Sequence, residues 1–185
     1  KGNSHRHGTD VSLLLVYHHG LTSSRPDVVV IECDSVDMGF QRARCVLIVE
    51  NERNFHQYRQ MLNFASEVLG KPLELSGCDV VLGGGNRITR GAILDWLQGY
   101  EEVFCAFDYD AGGLQMFSMI AASLGDKARF VQPRDWQPWL GRFRNTPDST
   151  ERFTRAISLA EGLGFDSLAK AFRSTGKFME QEMIL

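Results

Sequence analysis

No stretch of this 185-residue sequence is long and apolar enough to cross a membrane. Its strongest apolar runs, Val11–Tyr17 and Cys45–Val49, fall far short of the roughly 20 residues a bilayer demands. No secretory signal opens it either, so the expectation is a cytoplasmic location with no membrane partner. The four cysteines, Cys33, Cys45, Cys78 and Cys105, form no C-x-x-C pair, which argues against zinc or redox motifs and leaves reduced structural thiols. The early histidines His5, His7, His18 and His19 stand without such a pair beside them, and a zinc site is not expected there. Excess positive charge is also missing, because 20 Lys and Arg face 23 Asp and Glu for a net charge of −3. Such a protein does not hold nucleic acid by bulk charge; a local patch, a metal or a partner must supply the contact. Internal repeats and low-complexity segments are absent, which excludes solenoids and tails. With 43% hydrophobic and 23% charged residues, the composition is that of a folded domain with one core. Opening at Lys1 without an initiator methionine, the sequence is expected to be the C-terminal part of a longer protein or a trimmed form of it.

What is present is an alternation of apolar strands and amphipathic helices. Two runs rich in Val, Leu and Ile, residues 11 to 17 and 27 to 33, are separated by Gly20, Ser23, Ser24 and Pro26. They predict strands in an N-terminal β segment spanning residues 1 to 44. Cys45-Val-Leu-Ile-Val49 is continuously apolar, the mark of a strand covered on both faces, and stops at Glu50-Asn51. Phe55, Tyr58, Met61, Leu62, Ala65, Val68 and Leu69 then recur at helical spacing until Gly70 and Pro72 end them. The unit repeats as a strand over residues 79 to 82, the loop Gly83-Gly-Gly-Asn86, and a helix capped by Thr89 that carries Ile93, Leu94, Trp96 and Leu97. A third strand, residues 103 to 107, runs into Asp108-Tyr-Asp110-Ala-Gly-Gly113 and a helix bearing Leu114, Phe117, Ile120 and Leu124; residues 128 to 131 make a fourth. Residues 45 to 132 therefore predict an α/β core with a mostly parallel sheet flanked by helices. Residues 133 to 185 begin with Pro133, Trp136, Pro138, Trp139 and Pro147, then regain helical spacing, and predict a C-terminal helical extension packed on that core.

Ligands of open α/β sheets collect beyond the carboxyl ends of the strands. Here those ends carry acids: Glu50 terminates the first core strand, and Asp108 and Asp110 terminate the third. Alternation along an extended segment puts the two aspartates on one side. If the strands are neighbours, three carboxylates meet, and a divalent metal relieves their repulsion. The plainer alternative is that Asp-x-Asp before Gly starts a turn or caps a helix, and that Glu50 merely follows a strand.

An apolar strand ending in Glu-Asn, then about two β/α units, then a strand ending in Asp-x-Asp-x-x-Gly resembles the Toprim domain of topoisomerases, primases, meiotic recombination proteins and certain nucleases. Val49-Glu50-Asn51 and Phe107-Asp108-Tyr-Asp110-Ala-Gly-Gly113 match its two signature motifs. The Glu-Asn form and the C-terminal Glu180-Gln181-Glu182 are similar to JetD, also called MksG, the nuclease subunit family of Wadjet plasmid-defence systems. Where that branch often has proline after the second Asp, Ala111 stands here, and Gly113 keeps the closing glycine. The related type IIB topoisomerases carry their nucleophilic Tyr on an upstream winged-helix domain, which the stretch before Cys45 is too short to hold.

The resemblance implies a Rossmann-like Toprim core and a Mg²⁺- or Mn²⁺-dependent endonuclease acting on double-stranded DNA, partnered by SMC (condensin-like) subunits, with a homodimer left open. Asp108 and Asp110 would be metal ligands and Glu50 a ligand or general acid/base, with Glu180 and Glu182 either further ligands or a solvated tail. Gly112 and Gly113 would let the backbone approach a phosphate, or form a simple tight turn. Arg87 and Arg90, beside the Gly83 loop, face DNA phosphates or sit on a surface turn; Ile88 breaks the G-x-G-x-x-G pattern, so no dinucleotide site is expected. Arg134, Arg142 and Arg144, with Arg152 and Arg155, form a second DNA-facing cluster or a solvated face around core tryptophans. Two other functions stay open. One is a phosphatase of the haloacid dehalogenase type, whose nucleophile motif Phe107-Asp-Tyr-Asp110 fits except that Gly112 replaces Thr or Val; the other is a non-catalytic Toprim-like module that binds DNA or a subunit.

Overall fold

The apolar runs become strands in a computed structural model that describes residues 11 to 32 and 35 to 184; His5, His7 and Cys33 lie outside them. The strands are β1 (Val11–Tyr17), β2 (Asp27–Glu32), β3 (Ser35–Asp37), β4 (Cys45–Val49), β5 (Cys78–Leu82), β6 (Glu102–Ala106) and β7 (Ala128–Phe130). They join in a single seven-stranded sheet ordered β3-β2-β1-β5-β4-β6-β7. β4 runs parallel to β5 and β6, and β6 parallel to β7, whereas β1 is antiparallel to both β2 and β5. The chain is thus an α/β protein with a mixed sheet that is parallel at its centre.

Burial follows the residue pattern. All five residues of β4 and of β5 are buried, as continuous apolar runs require. β1 instead alternates, with Leu14 and Val16 buried and Val11 and Leu13 exposed, so only one face of the antiparallel part meets the core. β3 carries no apolar signal: all three of its residues are exposed, and it is held by pairing with β2.

The helices are α1 (Glu52–His56), α2 (Tyr58–Leu69), α3 (Gly91–Leu97), α4 (Ala111–Leu124), α5 (Thr150–Gly162) and α6 (Asp166–Thr175). Two differ from expectation. The periodic segment after β4 is broken at Gln57, which leaves helical geometry (φ −93°, ψ 34°), closes α1 with its N–H and opens α2. Thr89 does not cap α3: it ends a 3-10 turn over Gly85–Thr89, its hydroxyl donates to the Asn86 carbonyl, and Arg90 precedes the helix. Gly70 ends α2 in the left-handed conformation, φ 67°, as a glycine there should.

α5 packs on α4 and α6 on α5, bringing residues 133 to 184 against the core. An aromatic cluster seals that contact. Tyr109 meets Trp136 edge-on at 4.7 Å between ring centroids, and Phe130 stacks on Phe165 at 5.4 Å. Trp136 is therefore a core residue. Cys45, Cys78 and Cys105 are free and buried, and burial pushes each thiol above its ordinary pKa, so they are inert packing groups. His18 Nε2 donates to Asp27 Oδ2 at 2.8 Å, its Nδ1 accepts from Gly20 N–H, and the ring stacks on Phe40 at 3.8 Å, a structural role. Among the described residues no helix is long and apolar enough to cross a membrane.

Candidate functional site

The parallel strands run in the order β5-β4-β6-β7, so the chain leaves β4 toward one side for β5 and returns to its other side for β6. The crevice between the carboxyl ends of β4 and β6 is therefore a topological switch point, where loops diverge and leave room for a ligand. The register pairs Val49 with Ala106, so Glu50 and the Asp108 loop leave the sheet at the same level. The neighbouring strands that would bring the acids together are thus present.

Tyr109 anchors the loop. It is fully buried, its hydroxyl donates to the Val131 carbonyl at 2.9 Å, and its N–H donates to the Met179 carbonyl at 2.9 Å. With Tyr109 pointing inward, Asp108 and Asp110 face the opposite way and line one cavity of about 540 Å³. The alternation expected of the two aspartates is found.

Each acid is held by a backbone donor. Glu50 Oε2 accepts from Asp108 N–H at 2.8 Å, bridging the crevice; Asp108 Oδ1 accepts from Gln181 N–H at 2.6 Å. Asp110 caps α4, its Oδ1 accepting from Gly113 N–H at 2.8 Å, while Oδ2 pairs with Arg152 Nη2 at 2.6 Å. These bonds do not offset the crowding. Burial, reinforced by the Asp108 charge, pushes Glu50 up from 4.5 to about 7. Burial likewise pushes Asp108 up from 3.8 to about 6, despite the Gln181 N–H, with the charges of Asp110, Glu180 and Glu182 adding to the rise.

The far wall of the cavity comes from the C-terminal extension. Met179 N–H returns a bond to the Tyr109 carbonyl, and Phe178 and Asn145 exchange a pair of backbone bonds, so residues 178 to 182 are laced between the Asp108 loop and residues 144 to 148. Arg144, Asn145, Thr146, Asp148 and Glu180 complete the lining. Glu182 pairs with Arg53 at 3.7 Å rather than with the aspartates.

Among the described residues no three His, Cys, Asp or Glu side chains converge closely enough to form a metal-binding group. The reason is visible in the bonds above: Glu50 and Asp108 turn toward backbone donors, and Asp110 toward Arg152. The donor set nonetheless suits a hard divalent cation, being made of carboxylate oxygens. A positive group, the Arg152 guanidinium, already stands on Asp110. Gln181, whose N–H holds Asp108, is fully buried, and neither polar atom of its side-chain amide has a partner. Asn54 on α1 is in the same state, and α1 touches the turn containing Gln181.

The remaining expected residues separate. Gly112 is exposed at the start of α4, but Gly113 is buried, and a Cβ there would lie 2.1 Å from the Asp108 carbonyl oxygen. Its glycine is required by the close approach of the Asp108 backbone. Arg87 folds back over Gly84, and Arg90 is exposed before α3. Arg142 lies over the Trp139 ring at 4.7 Å and donates to the carbonyls of Met183 and Ile184, so it staples the C-terminal segment and is not free for DNA. Arg134 is exposed outside the cavity, and Arg144 lines it. Sequence reasoning missed the pairing of Arg152 with Asp110 and the buried amides of Asn54 and Gln181. Only the position of Gln181 between two glutamates pointed to the latter.

No known protein-family model matches the chain, and no curated protein matches it.

Proposed function

We propose that the chain is a Toprim-like, Mg²⁺- or Mn²⁺-dependent endonuclease module that hydrolyses phosphodiester bonds of double-stranded DNA. The observation that carries this is the placement of Glu50, Asp108 and Asp110 at the carboxyl ends of neighbouring β4 and β6, where burial and neighbouring carboxylate charge push Glu50 and Asp108 up. Asp108 and Asp110 would hold the cation, with Glu180, which lines the same cavity from the C-terminal extension, and Glu182 as outer partners. When bound, the cation supplies Lewis-acid polarisation of the scissile phosphate.

Glu50 does the proton work. Its Oε2 is fixed by Asp108 N–H, so Oε1 is the atom free to hold or release a proton, and a pKa of about 7 suits that exchange near neutral pH. Asp110 caps α4 and occupies the Gly113 and Leu114 N–H groups, which leaves those of Ala111 and Gly112 for an approaching phosphate. Arg144 lines the acidic cavity and Arg155 a second one beside it, where guanidinium forks suit phosphate oxygens.

The net charge of −3 fits a module to which DNA is delivered. SMC (condensin-like) subunits of a plasmid-defence system are the partner class that the motif resemblance favours. The test is incubation of the chain with supercoiled plasmid in Mg²⁺ and in Mn²⁺. The parent is expected to nick and linearise, and Asp108→Ala, folded by circular dichroism, to lose at least ~100-fold of that activity. Undiminished cleavage by Asp108→Ala refutes the nuclease, and failure of every form to bind either metal turns the assignment to a non-catalytic DNA- or subunit-binding module.

A further inference from the structure

Arg152 borders two cavities at once. On one side it lines the acidic cavity with Asp108 and Asp110; on the other it lines a second cavity of about 540 Å³ with Asn86, Gly112, Gln115 and Arg155, against the N-terminal turn of α4. Its guanidinium is forked between Asp110 Oδ2, at 2.6 Å, and Asp148 Oδ2, at 2.5 Å. The two acids are not equivalent. Asp148 is 77% exposed and Asp110 only 18%, so the Asp110 pair is the one shielded from water.

Asp110 has no idle oxygen: Oδ1 holds Gly113 N–H and Oδ2 holds Arg152. A metal ion and a guanidinium compete for Oδ2, because two positive charges so close repel. Asp110 therefore ligates more readily once Arg152 has left it. The side chain has somewhere to go. The second cavity already holds the Arg155 guanidinium, fixed to α4 through Gln115 Oε1 at 2.7 Å, and the exposed Glu151 carboxylate also lines it, an anion for an arriving guanidinium. Asp148, four residues before Arg152 and just outside the start of α5, serves as the pivot.

We propose that Arg152 is a cation-exchange latch: it holds Asp110 closed in the metal-free protein and, when Asp110 turns to ligate, swings to the second cavity beside Arg155 and Glu151. This rests on the metal-dependent function proposed above. Arg152 acts here as a positioning residue for Asp110, and metal affinity measures that role independently of activity.

The experiment is a Mn²⁺ titration of the whole chain, read by the electron paramagnetic resonance of free Mn²⁺ and by calorimetry, on the parent, Arg152→Gln, Arg152→Lys and Arg155→Gln. Arg155→Gln removes the same charge nearby without touching Asp110. The latch predicts that Arg152→Gln binds Mn²⁺ at least ~10-fold more tightly than the parent, that Arg152→Lys falls between, and that Arg155→Gln stays within about threefold. In metal-free melts Arg152→Gln is expected to unfold below Arg155→Gln, with Mn²⁺ reversing their order. Equal affinity in all four proteins, or equal gains in Arg152→Gln and Arg155→Gln, overturns the latch while leaving the metal site standing. Absence of Mn²⁺ binding in all four overturns the metal site and the latch with it.

Discussion

Glu50→Gln separates the chemistry of the site from its effect on the fold. The substitution keeps the shape and an acceptor for Asp108 N–H but cannot ionise. In the parent, the folded-state pKa of Glu50 stands at about 7 against 4.5 for the free side chain, so the folded protein binds this proton more tightly than the unfolded chain. The sign follows. Below pH 4.5 both states are protonated and no penalty exists; between 4.5 and about 7 the unfolded chain ionises first and stability falls; above 7 the loss is complete. At about 1.4 kcal/mol per pH unit the full loss is about 3 kcal/mol, and water reaching this half-buried side chain reduces it to about 1.5 to 3. Glu50→Gln is therefore expected to match the parent near pH 4.5 and to exceed its stability by about 1.5 to 3 kcal/mol at pH 8. For a chain of this size that is a melting difference of roughly 3 to 12 °C. Urea unfolding at pH 4.5, 6 and 8, with m-values checked for equality, measures it directly. Parallel stability profiles for the two proteins would show that Glu50 carries no suppressed charge and would remove the physical basis for its acid/base role.

Gly113→Ala should destabilise by at least ~2 kcal/mol, because its Cβ would fall 2.1 Å from the Asp108 carbonyl oxygen, whereas exposed Gly112→Ala should change stability by less than about 1 kcal/mol; thermal melts compare them. Tyr100→Phe removes the hydroxyl that donates to buried Asp79 at 2.9 Å and should lower stability by about 1 to 3 kcal/mol in urea titrations. Because burial already holds the Asp79 carboxyl above its ordinary range, the loss should be larger at pH 8 than at pH 5, since the donor favours the charged form. Arg142→Ala should free the segment it staples, so amide hydrogen exchange at residues 181 to 184, and at Gln181 N–H on Asp108, should speed up at least ~10-fold while exchange in β4 stays unchanged.

The acidic pattern and the α/β core were both legible in the residues, for local reasons. Continuous apolar runs such as Cys45–Val49 can only be strands covered on both faces, and an Asp-Tyr-Asp triplet in extended backbone must put both aspartates on one side. Gly70 as a helix stop is equally local, since it alone accepts the left-handed turn cheaply. The helix break at Gln57 and the displaced start of α3 were not legible, because apolar periodicity continues across them while the backbone leaves helical geometry at Gln57 and Arg90. β3 could not be found for a similar reason: its exposed residues belong to a strand only through pairing with β2.

By itself, then, the sequence determined most of the segments that become strands and helices, and which acids end which strands, because these depend on side-chain period and on short turns. Only the tertiary structure decided that β4 and β6 are neighbours across a switch point, that Gln181 holds Asp108 from 73 residues away, and that Arg152 closes on Asp110 from 42. Those are contacts between segments far apart along the chain. Their geometry depends on how the sheet orders its strands and how the C-terminal helices pack, and no local pattern of residues encodes either.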